Sequence, residues 1–184
     1  MDNGASSYRR FLEGDDNGMF ELVKDYRDGL MLYINSFVQD IHAAEECTEE
    51  VFVKLAIKKP KFHGKSSFKT WLYAIGRNLT LNYIRQTRHV TKISLESCSQ
   101  MPDALDIERN FLKEEQKILL HQAIRKLKSE YQQVLYLSYF EDFSNVETAK
   151  IMRKTKRQIE NLLYNARKSL KLELEKDGFH YEKL

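Results

Sequence analysis

Arg77, Asn78, Asn82 and Arg85 share one side of a helical wheel. Arg157, Asn161, Tyr164 and Lys168 share one side of another. Guanidinium and ammonium groups neutralise phosphates or donate to guanine edges, and a carboxamide pairs with adenine. Side chains of these types at helical spacing recognise a polyanion; they do not make or break bonds. Their surroundings agree. Residues 51–95 carry ten Lys and Arg and no acid, and residues 148–172 carry eight against one. Two separate basic blocks in a chain of net charge only +3 predict two contacts with nucleic acid.

Catalytic patterns are missing from the sequence. There is no P-loop, no GxGxxG and no nucleophile elbow, and the five His form no HExxH motif. Cys47 and Cys98 lack metal-ligand spacing and are expected to be reduced thiols in a cytoplasm. No cofactor, metal or enzymatic activity is expected. No apolar run approaches the length of a membrane span, and no secretory leader is recognisable.

The two blocks call for different kinds of nucleic acid. In the first, "KFHGKSSFKTWLYAIGRNLTLNYIR" (61–85) sets a loop with Phe62, His63, Lys65, Ser66 and Ser67, then Lys69 and Trp71, ahead of the Arg77, Asn78, Asn82, Arg85 face. A duplex reader has no use for an aromatic loop. A strand binder does, because freed bases stack on rings while cations hold the backbone, and Ser and Gly leave room for an extruded base. In the second block, "SNVE" and "TKRQ" are capping boxes opening two helices joined by a tight turn, a helix-turn-helix pattern. With Ile159 and Leu163 inward, the outward arc of the second helix holds Arg157, Asn161, Tyr164, Asn165 and Lys168, with Lys156 and Glu160 at its sides. Arg153 and Lys154 sit in the turn, near where a phosphate would lie, and Thr155, the cap, follows them on the DNA-binding side.

The elements needed to hold these residues are helices, since prolines are two, glycines seven, and apolar residues recur at helical spacing. Residues 1–14 are polar and expected to fray. Phe20, Val23, Leu30, Ile34 and Phe37 predict one helix. Ala44, Cys47, Val51 and Leu55 predict a second over 41–58, and Phe68, Leu72, Ile75 and Leu79 a third over 68–88. Glu45, Glu46, Glu49 and Glu50 crowd one side of the second helix, an arrangement suited to docking a basic partner. The period then lapses, and residues 90–111 are expected to be a flexible linker, which fully extended reaches about 70 Å. That is about two turns of duplex at ~34–36 Å each. A second module follows over 112–176, with a short tail at 177–184. The expected fold class is all-α, two small helical domains on a flexible linker.

"AAEECTEEVFVKL", "KFHGKSSFKTWLYAIGRNLTLNYIR" and "LKSEYQQVLYLSYFEDFSNVETAKIMRKTKRQIENLLYNARKSL", in that order and spacing, resemble bacterial RNA polymerase sigma factors of the extracytoplasmic-function (ECF) group. The resemblance covers residues 15–172. It implies that residues 15–89 are region 2, which binds the polymerase clamp helices through Glu45, Glu46, Glu49 and Glu50 and opens and reads the minus-ten element. It implies that 112–176 are region 4, which binds the flap tip and reads the minus-thirty-five element as duplex. Core polymerase, promoter DNA in both forms and an anti-sigma factor are the implied partners. The turn of the helix-turn-helix reads Met152-Arg153 where the family usually has Gly. Two other readings stay open at this point: a stand-alone helix-turn-helix regulator that binds duplex as a dimer, and a small enzyme with an unrecognised site.

Overall fold

The computed structural model describes residues 3–90 and 119–176, and every described element is helical. The helices are α1 (Asn3–Leu12), α2 (Asn17–Val38), α3 (Ile41–Lys58), α4 (Phe68–Val90), a short α5 described over 119–125, α6 (Ser129–Tyr139), α7 (Asn145–Met152) and α8 (Lys156–Lys176). The expected tail at 177–184 and nearly all of the expected linker at 90–111 lie outside the described residues.

Local chemistry sets the boundaries. Gln39 closes α2 in the left-handed region (φ 61°), and Asp40 at once caps α3 by accepting from the backbone N–H groups of His42 (2.9 Å) and Ala43 (3.1 Å). Lys59, also left-handed, and Pro60 end α3. The two capping boxes form as expected. Ser144 and Glu147 exchange side-chain and backbone bonds at the head of α7, and Thr155 and Gln158 do so at the head of α8.

The residues expected to fray form α1 instead. Its Tyr8 and Phe11 are buried; Tyr8 lies 5.5 Å ring to ring from both Phe68 and Trp71, and its hydroxyl donates to the Pro60 carbonyl (2.8 Å). Burial pushes that hydroxyl's pKa up to about 12. Ser7 donates to Glu21 (2.6 Å), and Arg10 pairs with both Asp15 and Glu21. Gly18 permits the close approach of α1 to α2. A Cβ there would stand 2.2 Å from the Ser7 carbonyl oxygen and 2.8 Å from the Phe11 nitrogen, both backbone atoms that cannot step aside. Gly18→Ala should therefore destabilise this bundle by about 1–3 kcal/mol, read as a lowered denaturant midpoint.

Helices α1–α4 form one bundle, and α6 and α7 pack on α8 to form the other. The inward stripe of α2 includes Leu30, Ile34 and Phe37 as expected, but Phe20 is 70% exposed and Leu22 takes the buried place. The two bundles are docked, α4 against α7 and α2 against α6, and one continuous core runs through both. At the seam Tyr33 lies 5.4 Å from Tyr73 and 6.1 Å from Tyr136, and Tyr73 meets Phe143 edge-on at 5.1 Å.

Candidate nucleic-acid interface

The α3–α4 loop and α4 carry the first basic set. Residues 61–67 are a loop whose Gly64 sits at φ +68°, with no atom within 4 Å of where a Cβ would stand. His63 and Lys65 are exposed, and Ser66 and Ser67 are half-buried. Phe62 and Trp71 are half-buried and packed on each other at 5.3 Å, both leaning on the buried Phe68. They are therefore rims of an aromatic cluster that α1 completes, rather than free-standing rings; His63 is the exposed ring of the loop.

Along α4 the set divides in two. Asn82 and Arg85 are exposed and Asn78 is half-buried. Arg77 is buried, its Nε donating to Gln133 Oε1 of α6 (2.8 Å). Lys69 is engaged as well. Its Nζ pairs with Glu141 Oε2 (2.9 Å), donates to the Glu141 carbonyl (3.0 Å) and lies 4.8 Å from the centre of the Phe143 ring. The Tyr73 hydroxyl donates to the same Glu141 carboxylate (2.6 Å). Burial, then that hydrogen bond, raises the hydroxyl's pKa far above its ordinary range, so the phenol is a permanent donor.

Glu147 serves two bundles at once. One carboxylate oxygen accepts from the Ser144 hydroxyl (2.7 Å) and N–H (3.0 Å) within the capping box. The other accepts from Thr70 (3.3 Å) and Ser67 (3.5 Å) on α4 and its cap. Burial works to raise its pKa, but the Ser144, Thr70 and Ser67 bonds outweigh this and hold it below the usual carboxylate range. The contribution is complete above 4.5 and is lost as pH falls below that value. Sequence reading found Glu147 only as a cap.

The second basic set is open. Lys156, Arg157, Glu160, Asn161, Tyr164 and Lys168 are all exposed on α8, with Tyr164 66% exposed and Ile159, Leu163 and Ala166 turned inward. Lys156 and Glu160 pair one turn apart (3.7 Å). Lys154 at the turn is drawn toward Glu130 of α6 (2.9 Å), and Thr155 is exposed beside it. Arg153 makes the turn at φ 54°, a left-handed conformation that costs a non-glycine residue about 1–2 kcal/mol.

On α3 the acids are not equivalent. Glu45 is half-buried and accepts from Arg27 of α2 (2.8 Å). Glu46, Glu49 and Glu50 are exposed. Glu46 and Glu50 continue at helical spacing into Val53 and Ile57, both exposed, with Ile57 71% so. This apolar extension is absent from the sequence-based reading, although its spacing was there to be read. Among the described residues no cluster of His, Cys, Asp and Glu could hold a metal ion, and no helix is long and apolar enough to cross a membrane.

Comparison with known proteins gives a consistent result. The model of Sigma-70 region 2 matches residues 22–90, and that of Sigma-70, region 4 matches residues 117–170. The ECF RNA polymerase sigma factor SigW of Bacillus subtilis is 23% identical over 171 residues, covering 88% of this chain and 91% of its own. The RNA polymerase sigma-H factor of Pseudomonas aeruginosa is 28% identical over 170 residues, covering 88% of each. Among solved structures, the sigma factor RpoE in complex with the anti-sigma factor NepR from Bartonella quintana matches with a TM-score of 0.67 at 21% identity, over 84% of this chain and 95% of its own. At that identity the likeness speaks to the fold.

Proposed function

The chain belongs to the sigma-70 family and is an RNA polymerase sigma factor of the ECF group, and on that footing we propose which of its surfaces does what. It directs core polymerase to a set of promoters and helps to melt them. The observation that carries the reading is the pairing, in one chain, of an acid-free loop and helix at 61–85 with a capped recognition helix whose outward face is exposed. A stand-alone duplex reader would need only the second. The loop Phe62–Ser67 with Lys69 and Trp71 captures an extruded non-template base, and Arg77, Asn78, Asn82 and Arg85 grip the adjoining duplex end and its phosphates. Arg157, Asn161 and their neighbours read the upstream element as duplex. The protein works in the cytoplasm without chemistry of its own, and an anti-sigma factor is a partner of the kind its relatives imply. Run-off transcription with core polymerase on genomic fragments tests the whole: specific transcripts only in the presence of both proteins are expected.

The stripe Glu46, Glu50, Val53 and Ile57 is the face offered to the clamp helices. Carboxylates set the approach, and apolar side chains lose water on contact. Reversing Glu46 and Glu50 to Lys should weaken binding to core polymerase at least about tenfold, or about 1.4 kcal/mol. Helix content measured by circular dichroism should not change, since neither acid joins an ion pair among the described residues. Undiminished affinity would reduce the stripe to solvated surface.

A further inference from the structure

Tyr8 of α1 touches both ends of the loop that should capture the promoter strand. Its hydroxyl donates to the Pro60 carbonyl (2.8 Å), where the chain enters the loop at 61–67. Its ring lies 5.5 Å from Phe68 and 5.5 Å from Trp71, where the chain leaves the loop for α4. Phe62, inside the loop, packs in turn on Phe68 (5.7 Å) and Trp71 (5.3 Å). Tyr8 is only 1% exposed, so it supports these rings from behind and does not itself meet a base. We propose that Tyr8 is a positioning residue for strand capture and that α1 is the strap that carries it. By fastening the entry and the exit of the loop to one buried side chain, α1 pre-forms the place for the extruded base. The proposal rests on the reading of 61–85 as the strand-binding face.

Two independent features support it. The first is a second tie at the loop entry. Phe11, almost one turn on from Tyr8, has the Lys59 ammonium over its ring (4.9 Å), so α1 engages both residues that lead into the loop. The second is the seat of α1, which is cut to its backbone. A Cβ on Gly4 would stand 2.6 Å from Cδ1 of the Phe68 ring and 2.6 Å from the Tyr26 hydroxyl, so the helix reaches the loop exit only because that side chain is missing. On α2, Gly18 makes room for the Ser7 carbonyl, and Ser7 and Arg10 are tied to Glu21, which fixes the register of α1. The loop itself has an exposed His63 and Lys65, and Gly64 at φ +68° with open space around it. A loop of this kind must be ordered when a base binds, and an anchor that orders its ends beforehand removes part of that cost. The Sigma-70 region 2 match begins at residue 22, so α1 adds this anchor from outside the matched segment.

The test uses core polymerase, the full-length chain and a promoter fragment recovered by the genomic run-off screen. The fragment is supplied as closed duplex and with its minus-ten element already unpaired. Y8F, which removes the hydroxyl alone, should lower run-off from the duplex about tenfold and from the unpaired template by less than about twofold, because capture then no longer has to offset melting. G4A, which keeps the phenol but pushes α1 off Phe68, should give the same split. A role confined to bundle stability would lower both templates alike. In a chain whose His63, Lys65, Ser66 and Ser67 are replaced by Gly and Ala, Y8F should cost nothing further, since Tyr8 acts through the loop. If neither variant splits the two templates, or if Y8F costs a further tenfold in the loop-replaced chain, the proposal is overturned. The reading of the face is judged apart. Loop replacement that leaves duplex transcription intact overturns that reading and the positioning role with it. Loop replacement that cripples melting, beside Y8F and G4A chains that melt normally, overturns the positioning role alone.

Discussion

Replacing His63, Lys65, Ser66 and Ser67 together by Gly and Ala, with Gly64 retained, should reduce run-off transcription from a closed duplex promoter about a hundredfold. Extruding a base costs a few kcal/mol, and stacking plus edge contacts of about 1–3 kcal/mol per base must offset it. Losing about 2.7 kcal/mol of that is a factor of about 100. The structure sharpens the choice of residues. Phe62, Phe68 and Trp71 belong to the cluster closed by Tyr8, and changing them would confound melting with folding. His63 and Lys65 are exposed, and Gly64 needs its positive φ. Core binding should persist, because the α3 stripe is untouched. A template already unpaired across the minus-ten element should recover much of the activity, since its melting cost has been met. Permanganate footprinting reads the opening directly. Normal melting by this variant would leave the loop a mere connector between α3 and α4.

The parts of this structure legible in the sequence are those decided within a few residues. Helix α3 runs over the expected 41–58 because Asp40 caps one end and Lys59-Pro60 stops the other. Both capping boxes formed for the same reason. The family and its two regions were legible because three motifs in order are far more specific than one. What failed was decided at long range. Helix α1 has few apolar residues, and its order comes from Phe68, Trp71 and the Pro60 carbonyl, more than fifty residues away. Phe20 sits on an apolar stripe by spacing, yet Leu22 two residues on fixes the phase of α2 and turns Phe20 outward. The two basic blocks were readable as two contacts with a polyanion. That Glu141 and Glu147 would meet Lys69, Tyr73 and Thr70 in the first of them was not, because charge pattern alone does not say which acid reaches which base.

In region 4, Arg157→Ala and Asn161→Ala should each cost ~1–3 kcal/mol on the preferred upstream duplex and much less on scrambled DNA. Both side chains are exposed on the outward arc of α8, one turn apart, with no ion-pair partner among the described residues to release before binding. Their full donor capacity is thus available to base edges, Arg for guanine and Asn for adenine. Lys154 differs. Its ammonium is already within 2.9 Å of Glu130, so binding a phosphate exchanges one anion for another. Lys154→Ala should weaken every sequence alike, by less than a free lysine would, and flatten the salt dependence by under one unit of slope. Salt-titrated anisotropy on the preferred and scrambled duplexes, using the full chain, separates the two behaviours. Equal losses on both duplexes for Arg157→Ala would make Arg157 a phosphate contact and move sequence reading to Asn161, Glu160 and Tyr164.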